Sequence, residues 1–143
     1  MRSGIYFFKA DVQFRFSKST IVTNWVKSVI RKEKKKCGQI NVIFCSDKYL
    51  LDLNKRYLKH DYFTDVITFD SAIEKSISGE IYISTERVRD NALGLWIGFQ
   101  DELRRVIIHG VLHLLGYSDS NKALKGAMRL REDACLSLLP SST

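Results

Sequence analysis

The stretch His109-Gly110-Val111-Leu112-His113-Leu114-Leu115-Gly116-Tyr117-Ser118-Asp119 constrains this chain more than any other. Two histidines four residues apart, inside an apolar run of helical spacing, lie on one face about one turn apart. Burying two imidazoles among Val106, Ile107, Val111 and Leu114 costs free energy unless each finds a partner. Gly116 follows where a helix can stop by turning into the left-handed region, so the chain can fold back and carry Asp119 toward the rings. The pattern predicts a metal site of His109, His113 and Asp119 with an open position. Asp119 has a competing role: it stands beside Ser118 and Ser120 just ahead of the last helix, where an N-cap belongs. The donor types favour zinc.

The spacing matches part of the zinc-peptidase pattern His-Glu-x-x-His-x-x-Gly-x-x-His. Gly110 stands where that pattern has its general base, and glycine cannot take a proton. A mid-helix glycine costs about 1 kcal/mol relative to alanine, so Gly110 implies close approach of another backbone or of a substrate. With Asp119 in place of the last histidine, a bound Zn²⁺ acidifies its water less than a three-histidine site does, yet still acts as a Lewis acid toward a phosphoryl oxygen.

The chain has 143 residues, which suits one domain over residues 1–143. No apolar run approaches the roughly 20 residues of a membrane span and no secretory signal is visible. Cys37, Cys45 and Cys135 are odd in number and lack ligand spacing, and read as reduced packing residues of a cytoplasmic protein. Net charge is +7 and uneven: residues 1–60 hold 14 Lys/Arg against 4 Asp/Glu, residues 61–143 hold 9 against 12. A basic half beside a metal site suits a polyanion such as RNA. The run Arg31-Lys32-Glu33-Lys34-Lys35-Lys36 equally suits a solvated helix end, where cations complement the dipole.

Periodicity predicts strands at 5–16, 39–45, 65–70 and 79–84. It predicts helices at 19–35 (broken by Gly38), from Ser46 or Asp47 to Leu58, at 85–93 (interrupted by Gly94 and Gly98), at 99–115 and at 122–138. Beyond these the tail Pro140-Ser141-Ser142-Thr143 reads as frayed. The fold class is α+β: a small mixed four-stranded sheet packed with about five helices, one of them a zincin-like metal helix.

The histidine stretch resembles the YbeY family of bacterial endoribonucleases, whose motif is His-Gly-x-Leu-His-Leu-x-Gly-Tyr followed by a third ligand. His109, Gly110, Leu112, His113, Leu114, Gly116 and Tyr117 match it. Leu53-Asn54, Tyr57, Thr64-Asp65-Val66-Ile67-Thr68-Phe69, Gly79-Glu80-Ile81, Met128 and Glu132 extend the likeness over about residues 40–135. The resemblance implies a single-strand-specific, metal-dependent endoribonuclease of the cytoplasm. It implies a role in ribosomal RNA maturation at the 16S 3′ end and in ribosome quality control, with RNA and ribosome-associated proteins as partners. By alignment Asp119 replaces the usual third histidine ligand. The family's arginine after its tyrosine is absent, because Tyr57 is followed by Leu58. Lys59 or Arg56 is then the candidate for its charge, and His60, in the same loop, for a base. Two other functions compete: a non-catalytic ribosome-assembly module with a structural zinc, and a zinc peptidase, which lacks its base.

Overall fold

A computed structural model of the chain describes residues 3–139. The elements run β1 (Gly4–Lys9), α1 (Ser19–Lys32), β2 (Lys36–Cys45), α2 (Asp47–Leu58), β3 (Val66–Asp70), β4 (Ser76–Ser84), α3 (Thr85–Leu95), α4 (Phe99–Leu114) and α5 (Lys122–Leu136). This is the expected α+β arrangement. The tail read as frayed, from Pro140 onward, lies outside the described residues. Among the described residues no helix is long and apolar enough to cross a membrane.

The sheet order is β1-β2-β4-β3, with β1, β2 and β4 parallel and β3 antiparallel to β4. Alternation along the strands sorts side chains to two faces. Ile40, Val42 and Phe44 of β2 and Ile81 and Ile83 of β4 enter the main core. There they meet Val22, Trp25, Val26 and Val29 of α1 and Leu103, Val106, Ile107 and Val111 of α4. On the other face Cys45 and Ile67 pack with Leu50 of α2 beside Phe69 and Tyr82.

Several boundaries differ from the sequence expectation. The strand expected over 5–16 ends at Lys9. The alternation of Val12, Phe14 and Phe16 continues as an irregular segment that still buries one side: Phe14 and Phe16 sit 4.8 and 5.3 Å from the Phe44 ring. Gly38 does not break α1, which stops at Lys32 with Lys34 in the left-handed region. Gly38 lies instead inside β2, at a register shift against β4 where a side chain would strike Ser78. Gly94 does not interrupt α3, which runs on to Leu95 and is capped by left-handed Trp96.

Gly110 has a packing explanation. An added Cβ would meet Ile81 Cγ2 at 2.7 Å, so the missing side chain lets α4 settle onto β4. The close neighbour is a side chain of the sheet, not the backbone or substrate expected.

Candidate metal centre and its cleft

Helix α4 ends at Leu114, and Gly116 follows at φ 103°. Gly116 N–H donates to His113 O at 2.9 Å and Tyr117 N–H to Leu112 O at 3.0 Å, the pair of bonds that closes a glycine-terminated helix. This turn carries the Tyr117 carbonyl to 3.0 Å from His113 Nδ1. A carbonyl only accepts, so His113 Nδ1 bears the proton and Nε2 a lone pair. Tyr117 is itself held: its hydroxyl donates to Glu33 Oε1 at 2.5 Å and the Arg131 guanidinium lies 4.0 Å from its ring centroid.

His109 is oriented from α5. Its Nδ1 stands 2.6 Å from Oε2 of Glu132, a buried carboxylate whose other oxygen accepts from Arg105 at 3.0 Å. Arg105 also donates to Asp133 at 2.8 Å. A carboxylate or carbonyl behind each imidazole is the arrangement that fixes metal-ligating histidines. Asp119 is free for the third place, because the cap of α5 is Asn121, whose side chain accepts from Leu124 N–H at 2.8 Å.

With both Nδ1 atoms engaged, both Nε2 atoms and Asp119 Oδ2 converge. The Nε2 atoms are 3.0 Å apart, and Asp119 Oδ2 lies 3.3 Å from that of His109 and 3.5 Å from that of His113. A tetrahedron with bonds of about 2.0–2.1 Å has edges of about 3.3 Å, so this donor triangle fits a metal of zinc's size. Three acceptors facing one another call for a cation. Burial works against charge on His109, yet the hydrogen bond and charge of Glu132, with Asp119 and Asp65, outweigh it and raise its pKa above the ordinary value. The group of His109, His113 and Asp119 can hold a metal ion.

These donors open into a cleft of about 710 Å³ lined by α4, α5, β3 and the loop before β3. His60 lines it, with its ring stacked on Tyr62. Leu58, at the place of the family arginine, lines it too. Arg56 and Lys59 are not among its lining residues: Arg56 pairs with Asp52 at 2.9 Å, and Lys59 is the left-handed cap of α2. The cations that do line the cleft are Arg105, Lys125 and Arg129, which the sequence reading missed. Lys125 and Arg129 line the cleft without a salt bridge among the described residues, and the Arg129 charge acts on Glu102. Two acids at the floor were also missed. Burial raises the pKa of Asp65, whose Oδ2 accepts from Asn91 at 3.2 Å. Burial, and then Asp65, raise that of Glu102 against the charges of Arg105 and Arg129, and its Oε1 has no hydrogen-bond partner among the described residues. The spacing Glu102, Arg105, His109 along one face of α4 is the signal that was present.

The family model for endoribonuclease YbeY matches residues 7–140. The chain belongs to the YbeY endoribonuclease family. The YbeY endoribonuclease of Flavobacterium psychrophilum is 50% identical over 131 residues, covering 92% of this chain and 94% of its own. That of Cytophaga hutchinsonii is 47% identical over 135 residues, covering 94% of each chain. Among solved structures, TM1509 from Thermotoga maritima matches with a TM-score of 0.60 and 27% identity, over 93% of this chain and 89% of its own. Membership in the YbeY family agrees with the fold and with a histidine helix in which the residue after His109, Gly110, is packed against Ile81.

Proposed function

We propose that this chain is a metal-dependent endoribonuclease of single-stranded RNA, acting in ribosomal RNA maturation as one domain over residues 1–143. Zinc is the metal, with His109, His113 and Asp119 as ligands. The observation that carries the reading is the donor triangle of 3.0–3.5 Å edges opening onto a cleft with two cations outside any salt bridge among the described residues, Lys125 and Arg129.

When bound, a divalent metal supplies Lewis-acid stabilisation of phosphoryl charge and lowers the pKa of water. The chain does the rest. Glu132 and the Tyr117 carbonyl hold both imidazoles with Nε2 inward, so the donor set needs no reorganisation. Lys125 and Arg129 neutralise phosphates of the RNA backbone, which makes binding fall steeply with salt. They stand on α5, and that placement supports their taking up the positioning charge that Leu58 cannot offer. His60 is the candidate to accept a proton at the far wall of the cleft.

Elemental mass spectrometry of the untagged protein, beside Asp119→Ala and His113→Ala, tests the ligand set. Stoichiometric zinc in the wild type, lost in both variants while circular dichroism persists, is the expected result, together with chelator-sensitive cleavage of single-stranded RNA. Full retention of zinc in Asp119→Ala would remove Asp119 from the site. Unfolding of His113→Ala without any ribonuclease activity in the wild type would favour an assembly module with a structural metal.

A further inference from the structure

Apart from His60, the proposed chemistry uses the α4 and α5 side of the cleft. Facing it are β3, an edge of the sheet, and the loop before it. Ser84 N–H donates to Asp65 O and Ser71 N–H to Ser78 O, both at 3.0 Å. Since β3 pairs in unbroken antiparallel register (Val66 with Ile83, Thr68 with Ile81), the backbone groups of Asp65, Ile67, Phe69 and Ser71 turn toward β4. Those of Val66 and Thr68 therefore turn outward, and both residues line the cleft. Among the described residues nothing bonds Thr68 N–H or C=O, and Val66 O receives only a long contact from Thr64 Oγ1 at 3.5 Å. A free N–H and C=O on one edge residue form a ready donor–acceptor pair.

Beside this edge stands a fixed aromatic surface. Buried Asn54 pins the loop: its side chain donates to Tyr62 O at 2.9 Å and its carbonyl accepts from His60 N–H at 3.1 Å. The His60 and Tyr62 rings stack at 5.1 Å and 18°, with Tyr62 Oη 2.9 Å from His60 Nδ1. Tyr62 is nonetheless 55% exposed, and both rings line the cleft. An exposed ring held in place in advance offers a stacking face at little ordering cost.

We propose that this wall is a nucleobase subsite. The Tyr62–His60 pair stacks one unpaired base next to the scissile phosphate, and Thr68 N–H and C=O bond that base's pairing edge. The proposal rests on the ribonuclease reading and deepens it: a base within a duplex has its pairing edge occupied and its faces covered, so the subsite selects single strands. Lys125 and Arg129 across the cleft favour a polyanion over an extended peptide as the occupant.

The test uses zinc-loaded protein, a short single-stranded oligoribonucleotide and the duplex of the same sequence, with binding read by fluorescence anisotropy. Tyr62→Ala weakens single-strand binding about tenfold, the loss of one stacked base, and leaves duplex binding as it was. Thr68→Pro removes the edge N–H where a sheet tolerates proline and weakens single-strand binding about fivefold, while Thr68→Ser binds as wild type. Amide hydrogen exchange of the wild type reads the same contact without a variant: the Thr68 N–H slows when the single strand is added. Unchanged binding by Tyr62→Ala with no slowing at Thr68, while Lys125→Ala still weakens binding, overturns the subsite and leaves the nuclease reading standing. Equal losses for single strand and duplex overturn it as well. Protection of Thr68 by an extended peptide and not by RNA reassigns the edge. Wild-type protein that neither binds nor cuts single-stranded RNA removes the nuclease reading and the subsite with it.

Discussion

Glu132 lies 23 residues after His109, on a different helix, yet its Oε2 stands 2.6 Å from His109 Nδ1. Packing α5 against α4 therefore does two things at once: it closes one side of the core through Cys135 and Leu136, and it sets the tautomer of His109, the proposed metal ligand. Arg105 completes the link, one turn before His109 and bonded to Glu132 and Asp133 together. The guanidinium offsets the cost of burying the Glu132 carboxylate, which alone would be severe.

Replacing Glu132 with glutamine keeps the size and removes the charge behind His109. Zinc affinity of Glu132→Gln is expected to fall about 10- to 100-fold, the usual loss when such a partner is changed. Competition with a chromogenic chelator measures it, and far-ultraviolet circular dichroism checks that the fold is kept. Affinity equal to wild type would show that the carboxylate packs beside His109 without tuning it.

The raised pKa of His109 gives the metal-free protein a defined pH dependence. Its net contribution to stability is fully present below the unfolded histidine pKa and is lost as pH rises through the higher folded value. A metal on Nε2 competes with that proton, so metal affinity falls as pH drops, beginning above the ordinary histidine range. Titration calorimetry in buffers of different ionisation enthalpy counts the proton released on zinc binding. Zinc affinity that stays flat as pH falls through the histidine range would sink this account.

The candidate metal helix was legible because its message is local. His109, His113, Gly116 and Asp119 lie within one helix and its exit turn, where spacing maps onto space. The roles of Arg105, Lys125, Arg129 and Glu132 were not, because these side chains acquire them only when α5 packs on α4. Arg56 and Lys59 were attractive as sequence neighbours of Leu58, but on a helix adjacent residues point apart, and it is Leu58 that faces the cleft. The over-long first strand has a similar cause. Period-2 alternation reports one buried side, and Val12, Phe14 and Phe16 bury theirs without pairing to a neighbouring strand.

Cys45 is fully buried, and burial, then Asp11, Asp47 and Glu86, push its thiol up to about 12. The thiolate is the reactive form, so Cys45 is doubly protected at neutral pH. A thiol reagent is expected to titrate no more than the half-buried Cys37 and Cys135 in the native protein, and all three cysteines after denaturation. Mass mapping of a native sample that finds Cys45 modified ahead of unfolding would contradict the packing of Leu50 and Ile67 around it.

Two helical glycines should answer the same substitution with opposite signs. At Gly126, exposed in α5, an added Cβ meets nothing within 4 Å. Gly126→Ala is expected to stabilise by about 0.5–1 kcal/mol through helix propensity and the less flexible unfolded chain. At Gly110 the propensity gain is the same, but the new methyl stands 2.7 Å from Ile81 Cγ2 on a buried strand with core on both sides. Overpacking of this kind costs about 1–3 kcal/mol, more than propensity returns, so Gly110→Ala is expected to destabilise. It also lifts α4 from β4 next to His109, so zinc affinity should fall with it. Urea melts of both variants, metal-free and zinc-loaded, decide the matter: equal and positive shifts would mean that α4 has room against the sheet and that Gly110 serves the substrate instead.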